Sequence, residues 1–357
     1  TTNRGLNRAT DSPRQPGSTM KPLGVYALAI DKDIVNYTSS VLDKPIEKYY
    51  KDGKSGPKEW YGYYKGTVSL NYAIRKSMNT VPVRLLQEVG IDNSYDFLVN
   101  KLNCKHLVPE DKNLAALALG GTHYGLTTTE SAAAYAIFGN QGVYHSPTTY
   151  YKIERANGET VFDYDETGTQ VIAPSSATIM NHLLQEVVYG SEGTGGGIAG
   201  FNYKMKAYAK TGTSSESKDL WMVAGTPYYV GSVWYGFDIQ SEVSGGASAA
   251  KIWKAVMTEV HKDLEKKEFT DSDDVVKKGS GYYKKGVKVD VPSYTAPVSS
   301  EPSSSSEQSS SAVTSSAESS SAATPSDDTA TSSSSSGGSS SSGSSSDASS
   351  STPSQSE

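Results

Sequence analysis

The amino-acid composition changes abruptly near Pro292, and this change limits how much of the 357-residue chain can fold. Beyond that residue nearly every position is Ser, Thr, Ala, Pro, Gly, Asp or Glu. Such a segment has too little apolar surface to offset the entropy lost on ordering. We therefore predict one folded domain over residues 1–265, a linker over residues 266–298 and a disordered, acidic, Ser-rich tail over residues 299–357.

The rest of the chain is almost neutral in charge. Residues 301–357 hold seven of the 39 acidic residues and none of the 33 basic ones, which leaves 32 acidic and 33 basic residues elsewhere. This balance provides no basic field for a nucleic-acid partner. Because Cys104 is the single cysteine, an internal disulfide and a thiolate-rich metal site are excluded. We predict neither a metal nor a cofactor.

Periodic apolar residues predict helices on both sides of a run of strands. The predicted helices cover residues 18–30, 68–89 with a break at Pro82, 131–138, 175–189 and 247–264. The predicted strands cover residues 203–213, 219–226 and 228–237, and we expect adjacent strands to pair antiparallel. Strands between helical blocks indicate an α+β fold.

A glycine-rich segment follows the helix predicted over residues 175–189. Its Gly195, Gly197 and Gly200 have the spacing of a dinucleotide-binding fingerprint. That fingerprint requires a strand before it and a helix after it, whereas here a helix precedes and a strand follows. We therefore predict a loop beside a cleft and no nucleotide site.

Ser18 and Lys21 form the first of three polar clusters. The turn signal Pro16-Gly17 places Ser18 at the start of a helix, and the three-residue spacing places Lys21 on the same helix face. A hydroxyl next to a lysine that loses its proton on burial is a nucleophile beside a general base. A capping serine followed by a solvated lysine would have the same pattern, so this cluster alone is not specific.

Two further polar clusters lie later in the chain. They are Ser77-Met78-Asn79, at the end of a helix, and Lys210-Thr211-Gly212-Thr213, near the end of a strand. Along that strand Thr211 and Thr213 share one side and Lys210 takes the other. Gly212 has no side chain, so a ligand backbone can approach the strand edge closely. Two hydroxyls with a lysine behind them suit an anionic ligand.

The order S-x-x-K, S-x-N and K-T-G-T resembles the motifs of the penicillin-recognising serine enzymes. Further segments are similar to class A, bifunctional penicillin-binding proteins: Asn7-Arg8-Ala9-Thr10, residues 14–22, Asp219-Leu220-Trp221 and Val233-Trp234-Tyr235-Gly236. The resemblance runs from about Leu6 to His261. It implies the penicillin-binding or serine β-lactamase-like fold, in which helices flank an antiparallel sheet and a subdomain is all helical, here without the usual N-terminal strands.

The resemblance implies catalytic roles for four residues. Ser18 would attack the penultimate D-alanine carbonyl of a D-Ala-D-Ala stem peptide, and Lys21 would take its proton. Ser77 would relay a proton to the leaving group, with Lys210 beside it. The acyl-enzyme would then pass to an amine of a neighbouring stem peptide, which makes the protein a D,D-transpeptidase, and β-lactam antibiotics would acylate the same serine.

The resemblance also implies how the substrate is held. Asn79 would bind the substrate amide, and Thr211 and Thr213 would hold the terminal carboxylate beside Gly212. The backbone N–H groups of Ser18 and Thr213 would form the oxyanion hole.

The chain begins with Thr1 and contains neither a signal peptide nor an apolar run long enough for a membrane span. We therefore expect it to be part of a longer protein, with an N-terminal glycosyltransferase domain and a membrane anchor outside this sequence. The resemblance implies a location at the extracytoplasmic face of a bacterial membrane. The Ser and acid content of the tail suits a hydrated polymer mesh, which favours the cell wall of a Gram-positive-type cell.

Two alternatives use the same residues. A D,D-carboxypeptidase or a serine β-lactamase would pass the acyl group to water, so a penicillin adduct lost within seconds would favour the β-lactamase. A non-catalytic β-lactam sensor or a cell-wall-binding module would be acylated without turning over any stem peptide.

Overall fold

The computed structural model describes residues 5–201, 205–244 and 248–287, so the predicted tail lies outside the described residues. Its α-helices are α1 (Ala27–Asp31), α2 (Leu70–Arg75), α3 (Thr80–Val89), α4 (Ile91–Asp96), α5 (Leu114–Leu119), α6 (Thr128–Ala136), α7 (Pro174–Tyr189) and α8 (Ala249–Val260). Shorter 3-10 or π-helical turns cover Gly17–Thr19, Pro22–Tyr26, Phe97–Lys101, Pro109–Asp111, Gly196–Ile198 and Ser215–Ser217. None of the helices in these ranges is long and apolar enough to cross a membrane.

The strands are β1 (Ser40–Asp43), β2 (Gly66–Ser69), β3 (Val143–Tyr144), β4 (Lys152–Glu154), β5 (Thr160–Asp163), β6 (Thr169–Gln170), β7 (Tyr208–Thr213), β8 (Asp219–Gly225), β9 (Val230–Gly236), β10 (Val275–Lys278) and β11 (Gly281–Lys284). The central sheet has the order β7-β8-β9, with both neighbouring pairs antiparallel, as the sequence predicts. Antiparallel pairs also form between β1 and β2, β3 and β6, β4 and β5, and β10 and β11.

Alternating residues divide the central sheet between two apolar clusters. Tyr208 and Trp221 belong to the main core, to which α1, α3 and α7 also contribute. Ala209 and Met222 point to the opposite face, where they cluster with Trp253 of α8. Helices therefore cover both faces of an antiparallel sheet, which is the α+β arrangement predicted from the sequence.

The helix predicted over residues 68–89 is two helices, and the break lies ahead of Pro82 rather than at it. Ser77 has a φ of 58°, in the left-handed region that side chains larger than glycine rarely adopt. Pro82 lies in the first turn of α3, where its missing N–H breaks no intrahelical hydrogen bond. The turn that ends α2 therefore carries the second polar cluster.

The segment predicted as a linker from residue 266 contains the β10–β11 hairpin. Tyr283 of β11 is 1% exposed and lies in the main core, and its hydroxyl is 2.9 Å from Oγ1 of Thr38. Composition did not reveal this hairpin, because its two strands have only four residues each and three of these eight residues are lysines.

Candidate active site

The first polar cluster lies on a helical segment that we call the Ser18 helix, residues 17–31. Its first turn touches the end of β7 so closely that two glycines are required. A Cβ atom on Gly17, whose φ is 52°, would lie 2.4 Å from the carbonyl oxygen of Thr213. A Cβ atom on Gly212 would lie 2.3 Å from the carbonyl oxygen of Pro16. The two glycines therefore let the start of this helix lie against the K-T-G-T strand. The space beside Gly212 is filled by this helix, and the prediction that it admits a ligand backbone was wrong.

Lys21, one turn into the Ser18 helix, is fully buried and reaches the turn after α2. Its Nζ donates hydrogen bonds to the carbonyl oxygens of Ser77 (2.8 Å) and Met78 (2.9 Å). It also donates to Oδ1 of Asn79 at 2.7 Å, and lies 3.5 Å from Oγ of Ser77. The first and second polar clusters are thus in direct contact.

Lys210 connects the third cluster to the second. Its Nζ donates to Oγ of Ser77 at 2.7 Å and to the carbonyl oxygen of Thr211 at 3.0 Å. The Ser77 hydroxyl therefore lies between two buried lysines. On the other side of β7, Oγ1 of Thr211 donates to Oγ1 of Thr194 at 3.0 Å, and Thr213 is exposed.

Ser18 lies in the first turn of the Ser18 helix and is partly exposed. Among the described residues, no hydrogen bond joins its hydroxyl to Lys21, Ser77 or Lys210. Catalytic hydrogen bonds are often long without substrate and shorten only in the complex. The structure thus joins Lys21, Ser77, Asn79 and Lys210 by hydrogen bonds, and Ser18 lies one helical turn before Lys21.

Burial governs the protonation of the two lysines. It lowers the pKa of Lys21 to about 7, against the opposing effect of the negative charge of Glu59. Burial also lowers the pKa of Lys210 well below its usual range, and the positive charge of Lys21 lowers it further. Because burial disfavours the charge of both lysines, and Lys21 disfavours that of Lys210, a neutral amine is available near neutral pH.

Sequence reasoning missed two residues that complete the site. Glu59, in the loop between β1 and β2, accepts hydrogen bonds from the backbone N–H groups of Asn79 and Thr80. Thr194, in the glycine-rich loop, contacts Thr211 as described above. Neither residue belongs to a periodic pattern or a motif, so no local signal could have identified it.

The arrangement has the groups that acyl transfer needs without using a histidine. A partly exposed hydroxyl lies at the start of a helix, where backbone N–H groups lack intrahelical partners and favour negative charge. A buried lysine near its own pKa can accept a proton, and a bridging serine hydroxyl can pass one on. In the described parts of the chain, no cluster of three or more His, Cys, Asp or Glu residues could hold a metal ion.

Comparison with known protein families agrees with the resemblance found in the sequence. The model of the penicillin binding protein transpeptidase domain matches residues 2–258. This match covers well over half of the sequence, and the chain belongs to the penicillin-binding protein transpeptidase family.

The chain is similar to several curated penicillin-binding proteins. Penicillin-binding protein 1A of Clostridium tetani is 35% identical over 278 residues, which cover 73% of this chain and 35% of the relative. Penicillin-binding protein 1A of Clostridium acetobutylicum is 36% identical over 286 residues, which cover 78% of this chain and 35% of the relative. The chain therefore spans about a third of the length of these relatives.

Solved structures share the fold. Penicillin-binding protein 1A from Haemophilus influenzae matches with a TM-score of 0.66 at 25% identity, over 79% of this chain and 49% of that chain. The penicillin-binding protein PonA1 from Mycobacterium tuberculosis matches with a TM-score of 0.63 at 24% identity, over 80% of this chain and 78% of that chain. The expected penicillin-binding fold is thereby confirmed.

Proposed function

We propose that this chain is a D,D-transpeptidase domain that cross-links peptidoglycan stem peptides through an acyl-enzyme at Ser18. The observation that carries this proposal is the buried, hydrogen-bonded group of Lys21, Ser77 and Lys210, with Ser18 one helical turn before Lys21. A serine nucleophile needs a base that can be neutral near pH 7, and burial lowers the pKa of Lys21 to about 7, so that part of it is neutral there.

The reaction has two halves. In the first, Lys21 takes the proton of Ser18 as its oxygen bonds to the carbonyl carbon of the penultimate D-alanine. The peptide C–N bond then breaks, and the terminal D-alanine leaves as an amine that receives a proton through Ser77. In the second half, the nitrogen of an amine on another stem peptide bonds to the ester carbonyl carbon and the C–O bond to Ser18 breaks. The proton that the amine loses passes through Lys21 to the Ser18 oxygen.

The same proposal assigns the substrate contacts. In the proposed complex Thr213 donates to the terminal carboxylate, and so does Thr211 once its hydroxyl turns away from Thr194. Gly212 supports this strand indirectly, because its missing side chain lets the Ser18 helix lie against β7. Asn79 binds the substrate amide, since its Nδ2 keeps one hydrogen beyond the one given to the carbonyl oxygen of Lys58. The backbone N–H groups of Ser18 and Thr213 stabilise the oxyanion.

β-Lactams present a strained amide to the same serine, so we expect them to form a stable adduct at Ser18. A structure of PonA1, which shares the fold, is of its complex with penicillin V. The curated relatives are about three times longer than the matched region, in keeping with a glycosyltransferase domain and an anchor elsewhere in the whole protein. Such a protein acts outside the cytoplasm, here in the wall of a Gram-positive-type cell.

Labelling with a fluorescent penicillin tests the proposal. The wild-type chain should form one covalent adduct that peptide mass mapping assigns to Ser18, and Ser18→Ala should form none. Ser40→Ala, which changes an exposed serine of β1, is the matched control and should label normally. An adduct that persists on Ser18→Ala would refute the proposal.

A second assay separates transfer from hydrolysis. A D-Ala-D-Ala donor peptide is supplied with an amine acceptor, and both the cross-linked product and the free acid are measured. A transpeptidase gives cross-linked product that increases with acceptor concentration. Product that is only free acid at every acceptor concentration would identify a carboxypeptidase instead.

A further inference from the structure

Glu59 is a buried acid that none of the three motifs includes. It is 5% exposed, in the irregular loop between β1 and β2. Its Oε1 accepts hydrogen bonds from the backbone N–H groups of Asn79 (2.8 Å) and Thr80 (2.9 Å), and its Oε2 lies 2.9 Å from the same N–H of Asn79. These N–H groups open α3 and have no intrahelical partner, so Glu59 caps this helix from a distant loop.

The capped residue Asn79 also contacts the proposed base. Its Oδ1 accepts a 2.7 Å hydrogen bond from Lys21 Nζ, and its Nδ2 donates to the carbonyl oxygen of Lys58, the neighbour of Glu59. The loop that contains Glu59 therefore holds both the backbone and the side chain of Asn79. Movement of this loop would change the acceptor that faces Lys21.

Charge provides a second connection between Glu59 and Lys21. Both groups are buried, and the negative charge of Glu59 raises the pKa of Lys21 while burial lowers it. Burial raises the pKa of Glu59, whereas its hydrogen bonds from Thr80 and Asn79 and the charge of Lys21 lower it.

Other titratable groups face this pair. They are Lys210 beside Lys21, and Asp43, Tyr26, Tyr61 and Tyr64 around Glu59. Asp43 is occupied by its own donors, since it accepts from Thr80 Oγ1 at 2.6 Å and from the backbone N–H of Lys65 at 2.8 Å. Glu59 is the acid that acts directly on the charge of Lys21.

We propose that Glu59 is a positioning residue for acyl transfer: its carboxylate anchors Asn79 and serves as the counter-charge of Lys21. This inference rests on the function proposed above and adds to it. Glu59 acts through Asn79 and Lys21, and contacts neither Ser18 nor, in the proposed reaction, the substrate. Because it stabilises the ammonium form, it determines how far the pH must rise before Lys21 becomes a free base.

Substitution can separate the two roles. Glu59→Gln keeps an oxygen acceptor for the N–H groups but removes the charge, so the Lys21 ammonium loses its counter-charge and its pKa falls. The part of the acylation profile that rises with pH, its acid limb, should then move about one pH unit lower. At pH 5.5 the rate of the variant, as a fraction of its own plateau, should be roughly tenfold higher than that of the wild type. Glu59→Ala also removes the acceptor, and should lower the plateau itself about tenfold.

The experiment measures the second-order acylation rate with a fluorescent penicillin from pH 5 to 9, on the 357-residue chain. Glu47→Gln is the matched control. It removes the same charge from the same loop, but Glu47 is exposed. The Lys21 titration is followed in parallel by NMR of ¹³C-labelled lysine, assigned with Lys21→Arg. Thermal melts establish that each variant is folded.

We expect Glu59→Gln to shift both the acid limb of the acylation profile and the Lys21 titration to lower pH. We expect Glu47→Gln to shift neither. An unchanged Lys21 titration in folded Glu59→Gln overturns the inference, whatever the acylation rate does. If Glu59→Gln does not fold, the Glu59 carboxyl of the wild type is titrated instead. A Glu59 titration that does not respond to the charge of Lys21 overturns the inference equally. A wild type that takes no penicillin refutes the proposed function, while the lysine titration still decides whether Glu59 is the counter-charge.

Discussion

Lys210 and Ser77 are 133 residues apart in sequence, and the Nζ of the lysine lies 2.7 Å from the Oγ of the serine. Both residues are buried. The same hydroxyl lies 3.5 Å from Lys21 Nζ, so one small polar group connects two lysines whose charges burial disfavours. In the proposed reaction, a proton that leaves Lys21 toward the departing amine would therefore have a short route through Ser77.

Removal of this hydroxyl should slow acylation without unfolding the protein. We expect Ser77→Ala to lower the second-order rate of penicillin acylation about 10²–10³-fold, which is a typical contribution of a positioned proton-transfer group. Stopped-flow fluorescence with a labelled penicillin measures the rate, and Ser40→Ala again serves as the control. A rate within threefold of wild type would show that protons travel by another route.

The pH dependence of acylation should report the ionisation of Lys21. A base works only when unprotonated, and burial lowers the pKa of Lys21 to about 7. The acylation rate should therefore rise about tenfold per pH unit below pH 7 and level off above it. Rates measured at constant ionic strength from pH 5 to 9 check this. A profile that keeps rising to pH 9 would mean that Lys21 is not the base.

The parts of this site that the sequence predicts are those with a local cause. The Ser18 and Lys21 spacing and the alternation around Lys210 follow from helix and strand geometry. The resemblance to a known family supplied what geometry does not, namely that these distant clusters meet.

The parts that sequence reasoning missed depend on contacts with no local signal. Glu59 lies in an irregular loop and accepts a hydrogen bond from Asn79, which is 20 residues later in the sequence. The helix break lies at Ser77, whose backbone is in the left-handed region, and not at Pro82. The hairpin over residues 275–284 is stabilised by the core beneath it, where Tyr283 is buried. Tertiary packing, not propensity, determines each of these features.

Gly212→Ala tests the close approach between β7 and the Ser18 helix. The added Cβ would lie 2.3 Å from the carbonyl oxygen of Pro16 and 2.9 Å from Cγ2 of Thr19, so the strand and the helix must separate. We expect about 1–3 kcal/mol of destabilisation in urea unfolding and at least a tenfold loss of acylation. In the control, Gly121→Ala, the new Cβ meets only the carbonyl oxygen of Ala115 at 3.8 Å. Equal behaviour of the two variants would contradict the tight contact.

Thr213→Val tests whether the exposed hydroxyl at the end of β7 binds a carboxylate. A hydrogen bond to a charged group contributes about 1.5–3 kcal/mol, so acylation by a penicillin should fall about 10–100-fold. Acylation by the methyl ester of the same penicillin, which has no carboxylate, should change less than threefold. Thr160→Val, on exposed strand β5, should affect neither compound. Equal losses for acid and ester would mean that Thr213 acts on the fold or on the oxyanion instead.

Two truncations test where the folded domain ends and whether the tail contributes to it. A chain that ends after residue 287 keeps the β10–β11 hairpin, so it should match the full chain in stability and in penicillin labelling. A chain that ends after residue 265 loses Tyr283 from the core, and the loss of a buried aromatic side chain alone costs about 3–5 kcal/mol. Urea unfolding should therefore show a clearly lower midpoint for the shorter chain only. Two equally stable truncations would mean that the hairpin is dispensable.

The longer truncation also tests the tail. A large loss of penicillin labelling on removing residues 288–357 would refute the passive role predicted for the tail.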